Sequence, residues 1–320
     1  MQHSISAQPL VSIGLPVYNG QHYLSQAIDS VLNQTYTNFE LIISDNGSTD
    51  ETANICKSYA EKDSRIHIYR FTENQGASRN FNMTFEQSTG KYFKWLAHDD
   101  MLTPKNIEKS VEVLESNSDC VLCGSAKTNV RFDGEIIDTF DYNGLHLTED
   151  STLLRFRALL KHFSESFATA DFVLTGLIRH DIMKQTILLA NYSSSDFTLL
   201  ADLILKGKFI ILSDTLYIKR FHHGFSMSVY NDNPDDAIKI DPSKKIKYKS
   251  HAEVAKWFDP KGKARRFPHL TWLNELIRSI DKNDFTTSEK AQLRLMAYQW
   301  FFRRTSKSVK DNFKKVVSLT

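Results

Sequence analysis

The sharpest chemical feature of the sequence is a pair of adjacent carboxylates, Asp99-Asp100, directly after the apolar run at 92–97. If that run is a strand of a parallel sheet, the pair stands at its carboxyl end, where open α/β sheets collect their ligands. Two neighbouring carboxylates repel each other, and a hard divalent cation with oxygen ligands relieves the repulsion. The competing reading is a cap for the next helix, although Thr103 and Pro104 are better placed for that. A second polar cluster, Asp45-Asn46-Gly47-Ser48-Thr49-Asp50, ends another apolar run and opens a helical pattern. Free helix N–H groups beside such side chains suit a base, a ribose or a phosphate, and the same residues also make an ordinary turn and cap. Arg79, within Asn74-Gln75-Gly76-Ala77-Ser78-Arg79-Asn80, carries a planar fork that fits a pyrophosphate or simply faces solvent. Other chemistries lack their residues. No strand is followed by GxGxxG, and Gly90-Lys91-Tyr92 and Gly207-Lys208-Phe209 lack the hydroxyl residue of a P-loop. Cys120 and Cys123 have no second pair to complete a zinc site and read as small buried side chains.

The elements that must position these groups follow from periodicity. Runs at 10–15, 39–44, 66–71 and 92–97 read as strands, separated by helical patterns near 23–33, 48–63 and 77–88. That spacing argues for right-handed βαβ units and a parallel sheet. A helix opens at Thr103-Pro104 and runs to about 116, followed by a strand at 120–125. Asp133-Gly134, between runs at 128–132 and 135–140, is a two-residue hairpin signal, so the sheet becomes mixed. Further helices are expected at 151–163, 180–190 and 197–205, and strands near 173–178, 209–212 and 216–220. Ser48/Glu51 and Thr286/Glu289 both have capping-box spacing. The second opens an aromatic-rich helix whose Trp300, Phe301 and Phe302 are expected to lie exposed as a helical contact.

Length and composition bound the rest. The chain has 320 residues, 41% hydrophobic and 24% charged, with mean hydropathy −0.38. Collagen, coiled coil and disordered tail are excluded by these values, and no apolar run is long enough to span a bilayer. Residues 1–9 lack a basic and an apolar region, which predicts no signal peptide. Three cysteines, Cys56, Cys120 and Cys123, make no disulfide framework, which predicts a cytoplasmic setting. The net charge of +2 hides an asymmetry: residues 239–320 hold 20 Lys and Arg against 8 Asp and Glu, or +12, leaving −10 on 1–238. A basic segment of this kind faces an anionic partner or forms a solvated helical surface. A boundary is expected at 230–236, where Asn, Asp and Pro cluster.

Several motifs in order carry a resemblance. Val11-Ser12-Ile13 with Pro16-Val17-Tyr18-Asn19, then 30–36, 39–43 and the 45–50 turn, resemble the family 2 glycosyltransferases. Asn74-x-Gly76, Arg79-Asn80, Gly90-Lys91-Tyr92 and Asp99-Asp100 continue the match in the same order, covering about 9–105 closely and 106–225 more loosely. The resemblance implies an α/β GT-A fold: a Rossmann-like, mixed but mostly parallel sheet flanked by helices, with a C-terminal helical extension. A catalytic domain over 1–228 would divide into a nucleotide-sugar half (9–105) and an acceptor half (106–228), followed by a basic, mainly helical segment over 229–320.

It further implies inverting transfer of a sugar from a nucleotide-sugar to an acceptor hydroxyl, with Mg2+ or Mn2+ at Asp99 and Asp100. Asp100 would be the direct metal ligand. Pro16, Val17, Tyr18, Asn19, Asp45 and Asn46 would contact base and ribose, and Gly76, Arg79 and Asp99 would also bind the nucleotide-sugar. Asn46 stands where many relatives have an aspartate that recognises uracil, so UDP, dTDP and GDP donors all stay open; Ala97 also replaces a common acidic residue. The family's general base, an aspartate at the start of a late helix, matches Asp196, ahead of Asp202 and Asp171. Arg220-x-His222, with His223, Ser226 and Ser228, resembles a segment that meets the diphosphate or adds a histidine metal ligand, His222 before His223. Arg79 or Arg220 would neutralise the leaving diphosphate. Bacterial relatives imply surface-polysaccharide synthesis on a saccharide or lipid-linked saccharide, with the basic segment at an anionic membrane from the cytoplasmic side. Nucleic acid is not an expected partner. The rival readings are a sugar nucleotidyltransferase and a non-catalytic saccharide-binding or scaffold protein on the same fold.

Overall fold

In a computed structural model of the chain, β1 (Val11–Val17), α1 (Leu24–Leu32), β2 (Phe39–Asp45), α2 (Thr52–Ala60), β3 (Ile66–Arg70), α3 (Ala77–Glu86) and β4 (Tyr92–Trp95) alternate in the expected order. The structure describes residues 8–142, 145, 147–165, 175–222, 251–262 and 268–317. β1 is buried along its whole length because it lies between β2 and β4 with helices over both faces, which is why it reads as a continuous apolar run. α1 buries Leu24, Ala27, Ile28 and Val31, the stripe that a 3.6-residue period turns towards a sheet.

Beyond β4 come β5 (Met101–Leu102), α4 (Asn106–Ser116), β6 (Cys120–Arg131), β7 (Ile136–Phe140), α5 (Thr152–Glu165), β8 (Leu177–Arg179) and α6 (His180–Met183). They are followed by α7 (Ser195–Lys206), β9 (Lys208–Phe221), α8 (His251–Phe258), α9 (Pro268–Lys282) and α10 (Thr287–Val317). The described strands form one sheet in the order β3-β2-β1-β4-β8-β6-β9-β5, with β7 paired to β6. β1, β2, β3, β4, β6 and β9 run in one direction, and β5, β7 and β8 oppose them. The carboxyl ends of the parallel strands therefore share one edge.

Several local expectations change. β6 and β9 each fuse two predicted runs and pair with each other along most of their length, through register shifts near Ser125 and Ala126. Ser48 does not cap α2: its hydroxyl accepts the Asn19 N–H at 2.9 Å, and Asp50 takes the Thr52 N–H at 3.1 Å instead. Thr103 and Pro104 lie ahead of α4, where their carbonyls accept bonds from Gln34 Nε2 and the Thr35 N–H, both at 2.8 Å. The helix expected over 180–190 stops at Met183, and Leu188 beyond it takes a left-handed φ of 57°. The Thr286/Glu289 box does form, with Thr286 N–H to Glu289 Oε2 at 2.9 Å and the return bond at 3.3 Å. The boundary expected at 230–236, and Asp171, His223, Ser226 and Ser228, lie outside the described residues.

The C-terminal helices complete the core on one side of the sheet. Trp272, Leu276 and Ile280 of α9 and Leu293, Ala297 and Trp300 of α10 join the apolar cluster that contains Phe93 and Trp95 of β4 and Phe197 of α7. The Phe197 ring lies 4.8 Å from Trp300 and 6.3 Å from Trp272, and Trp272 Nε1 donates to Ser193 O at 2.8 Å. Trp300 is thus a core residue and not an exposed contact; Phe302 is the exposed one. No helix among the described residues is long and apolar enough to cross a membrane. Trp272→Ala should lower unfolding free energy by about 3–5 kcal/mol, measured by urea denaturation; an unchanged midpoint would mean that α9 and α10 stabilise nothing in the sheet core.

Candidate active site

The β1 and β2 turns are tied to each other before any ligand is considered. The Gly20 N–H donates to Thr52 Oγ1 at 2.9 Å, the Gln21 N–H to Asp50 Oδ2 at 3.1 Å, and the Thr49 N–H to Asn19 Oδ1 at 2.9 Å. Asn19 holds a left-handed φ of 50° to make these contacts. Pro16 and Val17 are buried within β1, whereas Tyr18 is exposed at the strand's end. Asp45 is buried, accepting the Ser48 N–H at 2.9 Å and facing Arg70 Nε at 3.1 Å.

Asn46, expected to read a base, is consumed by its own neighbourhood. Its Nδ2 donates to Asn74 Oδ1 at 3.0 Å and Gly76 O at 3.3 Å, and its Oδ1 accepts the Gln75 N–H at 2.9 Å. The side chain is a brace for the β3–α3 loop. Gly76, at φ 86°, lets that loop pass against α8: a Cβ there would stand 2.4 Å from Phe258 O. Arg79 turns away along α3 to pair with Glu86 at 2.7 Å, because its helix position points it past the edge. The guanidinium that does stand at the edge is Arg70, which also donates to Ser48 O at 2.9 Å.

At the end of β4, Asp99 and Asp100 diverge. Asp100 turns inward: Oδ1 accepts the Arg220 N–H at 2.8 Å and Oδ2 accepts the Tyr217 hydroxyl at 2.7 Å. Each of its oxygens thus holds β9 through one accepted bond and keeps a further lone pair, so the expected direct ligand also anchors that strand. Asp99 faces His222, with Oδ2 at 2.9 Å from Nε2. Burial pushes both carboxyls up; for Asp99 the His222 bond together with the His98 and His222 charges outweighs this and holds it low, while for Asp100 the Asp99 charge adds to burial and raises it. His98 is pushed down by burial, which favours a neutral ring. Gly20 gives that ring room, since a Cβ there would meet it at 2.6 Å.

Arg220 is a strut as well. Nε donates to Asp99 O at 3.2 Å, NH1 to Phe132 O at 2.9 Å and NH2 to Gln26 Oε1 at 2.7 Å. Its guanidinium is buried with those donors engaged, which leaves it no open fork for a diphosphate. Tyr23 completes the clamp, with the Arg220 guanidinium 4.8 Å from its ring centre and the His222 ring at 4.7 Å. The first turn of α1 thus holds the end of β9 against the carboxylate pair.

Of the base candidates, Asp196 lies in the first turn of α7, two residues after Ser194, which holds a left-handed φ of 61°. α7 leads into the start of β9, so its N-terminus is at the same edge as the carboxylates. Asp202 is buried one and a half turns on, beside Lys206 at 3.8 Å and towards α9. It belongs to helix packing and not to the edge.

Among the described residues no three His, Cys, Asp or Glu side chains converge as a metal cage. Asp99 and His222 form a carboxylate–imidazole pair whose donor atoms suit Mg2+ or Mn2+, with donor oxygens and water needed to complete the shell.

Residues 12–170 match the family model described as "Glycosyl transferase family 2". This part of the chain belongs to glycosyl transferase family 2. The putative teichuronic acid biosynthesis glycosyltransferase TuaG of Bacillus subtilis is 34% identical over 146 residues, 46% of this chain and 58% of that protein. The chain spans 36% of the length of two Rickettsia relatives, from R. prowazekii and R. typhi. S. aureus TarS 1–349, solved in complex with UDP-GlcNAc, aligns with TM-score 0.62 and 16% identity over 92% of this chain and 72% of that one. The mannosyltransferase PcManGT of Pyrobaculum calidifontis, solved with GDP-Man and Mn2+, aligns at 0.51 and 13% identity over 96% of this chain and 88% of that one. The fold is GT-A, as the strand order and helical layers indicate.

In this family 2 domain, Tyr23, Gln26, Arg70 and Tyr217 are the site residues that sequence reasoning missed. Only Arg70 left a signal, as a cation closing a strand at the ligand edge. The Asn46 brace is testable. Asn46→Asp would face a carboxylate against Asn74 Oδ1 and Gly76 O, so it should lose about 1–3 kcal/mol of stability without gaining preference for uridine nucleotides. Thermal melting and comparative UDP and GDP titration check this; a stable variant with new UDP selectivity would return Asn46 to base recognition.

Proposed function

We propose that the protein is an inverting, metal-dependent glycosyltransferase that moves a sugar from a nucleotide-diphosphate sugar to a hydroxyl of a saccharide or lipid-linked saccharide. The observation that carries this reading is the Asp99–His222 pair at 2.9 Å, held at the carboxyl edge of a GT-A sheet. A UDP-sugar is the favoured donor because TarS binds UDP-GlcNAc; dTDP and GDP stay in the set, since PcManGT binds GDP-Man. Surface polysaccharide is the favoured product class, by likeness to a relative named for teichuronic acid biosynthesis. Residues 9–105 take the donor, 106–228 the acceptor, and the basic segment 229–320 brings the enzyme to an anionic membrane from the cytoplasmic side.

Asp99 and His222 would hold Mg2+ or Mn2+, which when bound offsets the negative charge growing on the departing diphosphate. Tyr18 and Asn19 line the base and ribose, with Arg70 behind Asp45. Asp100 and Arg220 fix the end of β9, so His222 is presented without a search over rotamers. Asp196 takes the proton of the acceptor hydroxyl as its oxygen attacks the anomeric carbon and the nucleoside diphosphate leaves from the opposite face. The left-handed Ser194 two residues earlier turns the chain into α7, and the Phe197 N–H donates to Asp196 Oδ1 at 3.0 Å.

Calorimetric titration with UDP, dTDP and GDP, each with and without Mn2+, tests the donor site. Manganese-dependent binding of one nucleotide, lost in Asp99→Ala, is expected; binding of none of the three, with or without the metal, would contradict the reading. Asp196→Asn should keep donor affinity within about twofold while transfer falls by about 10²–10⁴-fold. Unchanged turnover would move the base to another residue.

A further inference from the structure

α3 is bonded to both sides of the proposed reaction. Towards the donor, Asn80 is buried and holds the strand ends: its Oδ1 accepts the Ser44 hydroxyl at 2.7 Å and its Nδ2 donates to Val17 O at 3.2 Å. Val17 closes β1, and Ser44 is the next-to-last residue of β2. Towards the chain between α6 and α7, the Ser78 hydroxyl donates to Ala190 O at 2.8 Å. The Asn82 amide pairs with Leu189 in both directions: Nδ2 donates to Leu189 O at 2.8 Å, and Oδ1 accepts the Leu189 N–H at 3.1 Å. Residues 78 and 82 share a helix face, being four apart, whereas position 80 is turned about 200° from 78.

The chain that Ser78 and Asn82 hold has no regular structure of its own. No helix or strand lies between Met183 and Ser195 among the described residues, and Leu188 and Ser194 both take a left-handed φ, 57° and 61°. Its path is fixed from outside. The bonds from α3 meet it at Leu189 and Ala190, Asn191 donates to Asp259 Oδ2 at 3.0 Å, and Trp272 Nε1 donates to Ser193 O at 2.8 Å. Two residues further on, in sequence after Ser194 and Ser195, stands Asp196.

We propose that Ser78 and Asn82 are positioning residues for the transfer: they fix the approach to α7, and with it Asp196, relative to the donor turns that Asn80 holds. The proposal rests on the reading of Asp196 as the base. Asparagine suits position 82 because the Leu189 N–H and C=O both turn to α3, and a side-chain amide answers a donor and an acceptor together. Proton transfer needs the acceptor hydroxyl within hydrogen-bond reach of the base while its oxygen faces the anomeric carbon of the donor. Those two demands come from separate parts of the chain, and α3 is bonded to both.

A double-mutant cycle on the full chain tests this. Turnover is read with Mn2+ as nucleoside diphosphate released from UDP-GlcNAc and from GDP-Man, the nucleotide-sugars of the TarS and PcManGT complexes, with water standing in for the acceptor hydroxyl. Asn82→Ala should lower turnover about tenfold or more while UDP affinity stays within about twofold. In an Asp196→Asn background the same substitution should change turnover by less than about twofold, because a residue that acts through the base then has nothing to position. Ser78→Ala, which removes one bond and little volume, should lower turnover with the same dependence on Asp196. Equal falls in both backgrounds, unchanged turnover in Asn82→Ala, or a matching loss of UDP affinity would overturn the positioning role and leave the base reading standing. Unchanged turnover in Asp196→Asn would overturn the base reading and the inference with it. No release from either nucleotide-sugar by the wild type would overturn the transferase reading and the inference together.

Discussion

Two carboxylates buried side by side at the end of a strand cannot both persist without donors, and much of this edge exists to supply them. Asp100 is neutralised locally by the Tyr217 hydroxyl and the Arg220 N–H, both from β9. Asp99 is met by His222, one residue beyond the same strand. β9 must therefore cross from its pairing with β6 to the end of β4, and the short strand β5, paired to Tyr217 and Ile218, pins it there. α1 adds Tyr23 and Gln26 as the outer side of the clamp. Removal of the pair's donors would leave charge in a site that excludes water, so fold and site share one electrostatic requirement.

That requirement also separates what the sequence disclosed from what it hid. The alternation of strands and helices through β4, and the location of Asp99-Asp100 at a ligand edge, follow from apolar periodicity and turn residues, which are local signals. The roles of neighbouring residues do not. Asp99 lies in a turn beyond β4, closed by the Asp100 N–H to Ala97 O at 3.1 Å, so no strand alternation applies and spacing alone cannot say which of the two carboxylates faces inward. Asn46, Arg79 and Arg220 have the right types for base, pyrophosphate and leaving group. Their partners, however, lie 28, 7 and 194 positions away, at Asn74, Glu86 and Gln26, and only the folded chain brings the first and last of these together. Tyr23 and Tyr217 carried no motif at all.

The C-terminal helices show the same division. The Thr286/Glu289 capping box was legible because its bonds span three residues. The burial of Trp300 was not, because the face of α10 that meets the core is chosen by α5, α7 and α9. Once that face is covered, Leu295, Tyr298 and Phe302 are left outside by geometry. α8 meanwhile packs over the β3–α3 loop, with Lys261 paired to Glu73 at 2.6 Å and Asn191 bonded to Asp259 at 3.0 Å. The helical segment therefore touches the β3–α3 loop as well as the core.

The central claim is that His222 and Asp99, not Asp100, form the protein's side of the cation site. Pulsed electron paramagnetic resonance on the Mn2+- and UDP-loaded protein reads this directly, because a coordinated imidazole nitrogen modulates the manganese echo. The account predicts nitrogen coupling in the wild type that is retained in Asp100→Asn and absent in His222→Ala. A nucleotide-bound manganese signal with no nitrogen coupling in the wild type would contradict it.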